Sequence, residues 1–269
     1  MKIFAIKNDE VGKNTELGYF FWYEKQDEYY IELNDELDEW DFPLILDSFA
    51  RRKKWTLDRK STNTFISQRI IPSDRQNIGA ILKENGLEVY DEVRLFILAD
   101  GRCAQDECYI RSITPEKLPE RIKQRREKRM IAAVKTGRGK CLVCFGDEKV
   151  GMFNAEEYCG THEKFSHLRK YAALLTELKK NAVGSELRFD NGEGIPYTEV
   201  YSSADMLPVE LDSLQRLAAE SIFTAAEMAE GLGCTRQNIN DFIKRGKIVP
   251  IDIPGKRVLF SGGDFMKLM

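Results

Sequence analysis

Residues Gly233 to Lys247 read GCTRQNINDFIKRGK, and the fold of the C-terminal part turns on this stretch. Thr235 is a hydroxyl residue of the kind that caps helix starts, and Gly246 is the usual stop, so a helix is predicted between them. Within it Ile239, Phe242 and Ile243 fall at i, i+3 and i+4, which makes one apolar face. Arg236, Gln237, Asn240 and Lys244 are left on the opposite, outward side.

Working outward, FTAAEMAEGLG (Phe223–Gly233) opens with Thr224 and has Glu227 three residues on, a capping box. The short helix it starts turns Met228, Ala229 and Leu232 inward, and GLGC makes the turn to the next helix. Downstream, KIVPID and RVLF flank IPGK as a hairpin carrying Lys256 and Arg257, and GGDFMKLM closes the chain as a last short helix. From Ile222 onward there are seven Lys/Arg against five acids, so this module is mildly basic.

The outward residue types have a definite chemistry. Arginine bonds guanine O6 and N7 with both arms, and glutamine or asparagine does the same to adenine N6 and N7. The order of capped helix, glycine turn, TRQNINDFIKRGKI, hairpin and short helix resembles the winged helix-turn-helix of excisionases and of the mercury-resistance regulators. That resemblance covers residues 222–269 and implies duplex-DNA binding. It offers Thr235, Arg236, Gln237, Asn240 and Lys244 on the second helix, and Lys256 and Arg257 on the wing, as the contacting residues. Asp241 departs from the pattern by placing a negative charge near the groove. The alternative use of such a module is protein docking, because a fold does not fix its function.

The rest of the chain is globular in composition. Of 269 residues 42% are apolar and 32% charged, enough for two ordinary domains and a small third. The expected class is α+β: two small α+β units, 1–113 and 138–208, joined by a basic linker helix over 114–137 and followed by the winged module at 209–269. No apolar run approaches the roughly 20 residues of a membrane helix. The start, MKIFAIKNDEVGK, turns polar too soon for a secretory signal, so a cytoplasmic protein is expected, and the resemblances imply a bacterial one.

The net charge of −3 conceals a strong asymmetry. Residues 1–50 hold 4 Lys/Arg against 13 Asp/Glu, whereas 113–182 hold 16 against 9. In the acidic head, Lys2–Ile6, Leu17–Glu24 and Glu28–Leu33 are aromatic, β-prone runs, with KQD as a tight turn between the last two. Stacked aromatics also serve single-stranded nucleic acid, but a groove that tracks phosphates should be basic, so core packing is expected for Tyr19–Tyr23. Arg51–Trp55 (RRKKW) reads either as a solvated basic turn or as a phosphate contact. A helix is expected around Ile78, Ile81 and Leu82, capped by Ser73 or Asp74 and stopped at Gly86, and a second over Asp91–Gly101. Lys117–Lys140 carries ten Lys/Arg against Glu120 and Glu127, a solvated helix face or a second phosphate contact.

Cys141, Cys144, Cys159 and His162 match a C-x2-C…C-x2-H zinc spacing. KCLVCF, GDEK and VGMFNA, however, read as a hairpin, and strand residues three apart point to opposite faces. No metal or other cofactor is therefore expected. Residues 138–204 resemble a small bacterial domain family of unknown function often encoded near toxin–antitoxin-like genes, on Phe145–Glu148, VGMFNAEEY and FSHLRKY. This resemblance implies a compact α+β unit and carries over no functional residue. Phe165, Leu168, Ala172, Leu175 and Leu178 make a helical stripe, and SELRFD and GIPYTEVY read as strands or loop. Cys103 and Cys108 have no histidine nearby in sequence, and nothing pairs a nucleophile with a base, so no enzyme is expected.

The sequence thus points to a sequence-specific regulator of transcription, its own or a mobile element's, acting as a homodimer on duplex DNA. The competing expectation is an antitoxin- or immunity-like protein whose acidic N-terminal domain binds a basic protein partner.

Overall fold

The computed structural model describes residues 1–9, 15–137, 139–169, 178–251 and 258–268. It is a mixed α and β protein in two compact units, Met1–Leu207 and Pro208–Met269.

The larger unit begins with β1 (Lys2–Asn8), β2 (Thr15–Tyr23) and β3 (Glu28–Leu33), followed by α1 (Leu44–Arg51), β4 (Thr56–Leu57), α2 (Arg59–Ser67), α3 (Ile78–Glu84), α4 (Glu92–Leu98) and β5 (Cys108–Ile113). The strands form one sheet in the order β4-β3-β2-β1-β5, antiparallel throughout. Phe4, Phe20, Trp22 and Ile31 pack on one side against Leu46, Phe65 and Phe96 of the helices. Ile3, Ala5, Tyr19, Phe21 and Tyr30 fill the other side, where Leu118 and Ile122 cover them. Because both faces are buried, the strands need no polar alternation, which explains a run as apolar as Tyr19–Trp22. Those aromatics are core residues and offer no stacking platform.

The helix predicted near Ile78 starts there with Asn77 as its cap, not Ser73 or Asp74, and makes no side-chain capping bond. Gly86 does follow it in the left-handed conformation. α4 is capped by Asp91, whose carboxylate accepts the Arg94 amide at 3.0 Å.

The basic run is not a linker helix. A 3-10 turn at Pro115–Lys117 precedes α5 (Glu120–Glu127), and β6 (Met130–Gly137) continues the chain as a strand. α5 lies against the first sheet. Arg126 is buried with its guanidinium 3.9 Å from the Phe21 ring and donates to the hydroxyls of Tyr30 and Tyr23 at 3.0 and 2.9 Å. Arg125 donates to the Leu33 carbonyl at 2.9 Å and pairs with Glu32 and Asp35. The acids of the head supply what a solvated face would have taken from water.

β6, β7 (Lys140–Phe145), β8 (Lys149–Asn154) and β12 (Asp205–Glu210) form a second sheet in the order β12-β8-β7-β6, with the hairpin predicted at Lys140–Asn154 in place. Between β8 and β12 run α6 (Ala155–Thr161), α7 (Ser166–Arg169), β9 (Lys179–Lys180), β10 (Glu186–Arg188), β11 (Gly194–Pro196) and α8 (Tyr197–Ser203), in which β11-β10-β9 make a small sheet. Phe165 and Leu178 of the predicted stripe are buried here, while Ala172 and Leu175 lie outside the described residues. YTEVY is helical, not a strand: Pro196 precedes it as cap, and Tyr197 and Val200 bury at i and i+3.

The smaller unit holds α9 (Leu211–Ser221), β13 (Ile222–Thr224), α10 (Ala225–Gly231), α11 (Arg236–Lys244), β14 (Leu259–Ser261) and α12 (Gly262–Leu268). β13 and β14 pair antiparallel, and Met228, Ala229, Ile239, Ile248 and Phe260 form the core beside them. The division between the units falls after Leu207.

Candidate nucleic-acid interface

α10 begins with the predicted capping box. The Thr224 hydroxyl accepts the Glu227 amide at 3.3 Å, and the Glu227 carboxylate accepts the Thr224 amide at 2.7 Å. These bonds hold the Glu227 carboxyl below the ordinary range. The turn uses Gly233 at φ +62°, a conformation that costs a Cβ-bearing residue about 1–2 kcal/mol. Thr235 caps α11 through the Asn238 amide, and Gly246 at φ +67° ends it.

Ile239 of α11 is fully buried, with Phe242 and Ile243 half-buried beside it. The 3.6-residue period then places Arg236, Gln237, Asn240 and Lys244 in solvent, as each of them is. Asp241 is half-buried at the margin of that face. Arg245 and Lys247, which the outward-face argument passed over, are exposed at the end of the helix and extend its cationic border. The signal for them was present in the string IKRGKI, where a glycine stop leaves its neighbours uncovered.

The hairpin frame is anchored at its base. Ile251 bridges to Leu259, β14 pairs with β13, and the Phe223 and Phe265 rings stack at 5.1 Å. Lys256 and Arg257 lie outside the described residues. Close to this frame, a concavity of about 370 Å³ is lined by Thr224, Ala225, Ala226, Arg236 and Val258. It joins the start of α10 to the start of α11, so Arg236 borders both a recess and an open face.

The four zinc-spaced residues are placed differently. Cys141 lies in the core with Val143 and Phe145, whereas the alternation of β7 sends Cys144 to the other face, paired with Val150. Cys159 is buried on α6. The His162 ring stacks on Tyr158 at 3.8 Å and has its Nδ1 2.9 Å from the Tyr158 carbonyl. Burial pushes the Cys141 and Cys159 thiols up to about 11, and burial with the nearby Lys54 charge lowers His162. Among the described residues no three His, Cys, Asp or Glu side chains converge on a metal position. Cys108 is likewise a buried thiol, pushed up to about 12 by burial and by Asp106.

The other basic stretches are partly engaged within the chain. In RRKKW, Arg51 pairs with Asp47 at 3.0 Å and Lys54 with Glu199 at 3.1 Å. One polar cluster escaped the sequence reading altogether. Arg188 bonds Glu28 and Glu186, Asn181 donates to Glu28, and Tyr197 donates to Glu32 at 2.9 Å. Each partner is satisfied by another in the cluster, which suits it to holding the larger unit together. Among the described residues no helix is long and apolar enough to cross a membrane.

Neither a protein-family model, nor a curated protein, nor a solved structure matches this chain.

Proposed function

We propose that the smaller unit is a winged helix-turn-helix that binds duplex DNA by sequence, and that the protein is a transcriptional regulator of its own or a mobile element's genes. The observation that carries this reading is the two-faced α11. Its apolar side is fixed in a core, and Arg236, Gln237 and Asn240 stand in solvent on its first turns. In helix-turn-helix docking those N-terminal turns enter the major groove. Lys244, Arg245 and Lys247 then border the groove as phosphate contacts, which position the protein without reading bases. The resemblance to excisionases and mercury-resistance regulators supports the same assignment, with Lys256 and Arg257 as wing contacts. One such module contacts few base pairs, so a homodimer on paired half-sites is part of the proposal.

The test is fluorescence anisotropy of the full chain on tiled duplexes from its own upstream region, at two salt concentrations, with Arg236→Ala beside wild type. Saturable binding to one tile, lost in the variant, is the expected result. Equal binding to every tile that salt erases, or no binding, overturns the reading. The competing idea of an acidic head awaiting a basic protein loses part of its support, because Glu16, Glu24, Glu28, Glu32 and Asp35 are paired with cations of the same chain.

A further inference from the structure

Trp40 is 78% exposed and Leu44, close by, is 88% exposed, although the chain buries most of its other large aromatics. A single exposed leucine is ordinary; a tryptophan held out in water beside one is informative. The exposure is built in. Asp38 and Asp41 form a reciprocal capping box around the turn Glu39–Asp41, and Phe42 plunges into the core immediately after it. α1 then turns Leu46 and Ala50 inward, which leaves Leu44 at its start on the outer side. Between this turn and the outer side of α1 lies a concavity of about 630 Å³ that reaches Gln68 and Asp106.

The chemistry of an occupant follows from the charges around it. Glu28, Glu32, Asp35 and Glu36 of the head are paired, whereas Asp38, Glu39 and Asp41 have no cation within ion-pair distance among the described residues. The Trp40 ring already has the Arg51 guanidinium 4.9 Å from its centroid, so one ring is shown to take an arginine in this setting. We propose that this patch docks a basic protein partner through a segment bearing arginine and leucine. The arginine stacks on Trp40 against Glu39, and the leucine packs on Leu44. The same three carboxylates repel a phosphate backbone or an anionic lipid surface. The inference is independent of DNA binding by the other unit.

The experiment uses the full chain and fluorescein-labelled synthetic peptides in which arginines and leucines alternate with serine, with lysine-for-arginine and glutamate-for-arginine versions, at about 0.15 M salt. The arginine peptide should bind saturably, the lysine peptide more weakly and the glutamate peptide not at all. Trp40→Ala and Glu39→Lys should each weaken the arginine peptide by about tenfold or more. Trp40 is exposed and Glu39 half-buried, so thermal melting like wild type shows that the fold is kept, and acrylamide quenching of tryptophan fluorescence should fall when peptide binds. No saturable binding, equal binding by the glutamate peptide, or binding unchanged in either variant overturns the proposal. An effect of Trp40→Ala without one of Glu39→Lys also overturns it, since the partner would then not be basic.

Discussion

Arg188 donates to both carboxylate oxygens of Glu28, at 2.8 and 2.7 Å, across 160 residues of chain. The pair ties β10 to β3, so the acidic head and the following α+β portion are one folded unit.

Removing the cation should therefore cost more than removing the pair. Arg188→Ala leaves Glu28 and Glu186, with side chains only 6% and 3% exposed, without their main countercharge. A loss of about 3–5 kcal/mol is expected for that kind of uncompensated burial. Glu28→Gln and Glu186→Gln combined with Arg188→Met should lose less. Urea unfolding of the three proteins checks this order, and a milder effect of the single variant refutes it.

Burial raises the carboxyls of Glu32, Glu186 and Glu199 above the ordinary 4.5. A group raised on folding contributes fully below 4.5, where both states hold the proton, and that contribution is lost as pH climbs through the folded value. These three thus make the protein less stable with rising pH, against the usual trend of acid denaturation. Glu199→Gln cannot lose a proton. The unfolding free energy of the variant minus that of wild type should rise with pH above 4.5, and a flat or falling difference contradicts the assignment.

Gly184 at φ +71° would bring a Cβ to 2.1 Å from the Met130 carbonyl oxygen. Left-handed strain of about 1–2 kcal/mol and overlap of about 1–3 kcal/mol act together there, so Gly184→Ala should cost about 3 kcal/mol. Gly192 at φ +81° has nothing within 4 Å, and Gly192→Ala should pay only the strain. Melting temperatures of the two variants distinguish the terms, and equal losses would mean that Met130 yields freely.

Thr235→Ala deletes the bond to the Asn238 amide and should destabilise the smaller unit by about 1 kcal/mol. Faster hydrogen exchange at the first turn of α11 is the readout, and unchanged protection there disproves the cap.

On the proposed DNA reading, Arg236→Ala and Asn240→Ala should each cost about 1–3 kcal/mol and relax preference at one base pair. Lys244→Ala should weaken all sequences alike and flatten the salt dependence. Site preference intact in the first two variants would remove α11 from base reading.

The candidate interface was legible in the sequence because everything that shapes it is local. Thr224 with Glu227, Thr235 with Asn238, and Ile239 with Phe242 and Ile243 act within one helical turn, and a 3.6-residue period can be read from a string. The strands of the head and the Lys140–Asn154 hairpin were readable for the same reason. What the tertiary structure decided is which distant charges meet. A run with ten Lys/Arg looks like a solvated linker until Glu32, Asp35, Tyr23 and Tyr30 are known to face it. YTEVY became a helix because Tyr197 and Val200 had a core to enter. Cys141, Cys144, Cys159 and His162 share a spacing but not a position, because the pleat of β7 separates the first two. Local periodicity fixes which residues share a face; only packing fixes what that face meets, since burial and ion pairing depend on neighbours that are far away in the chain.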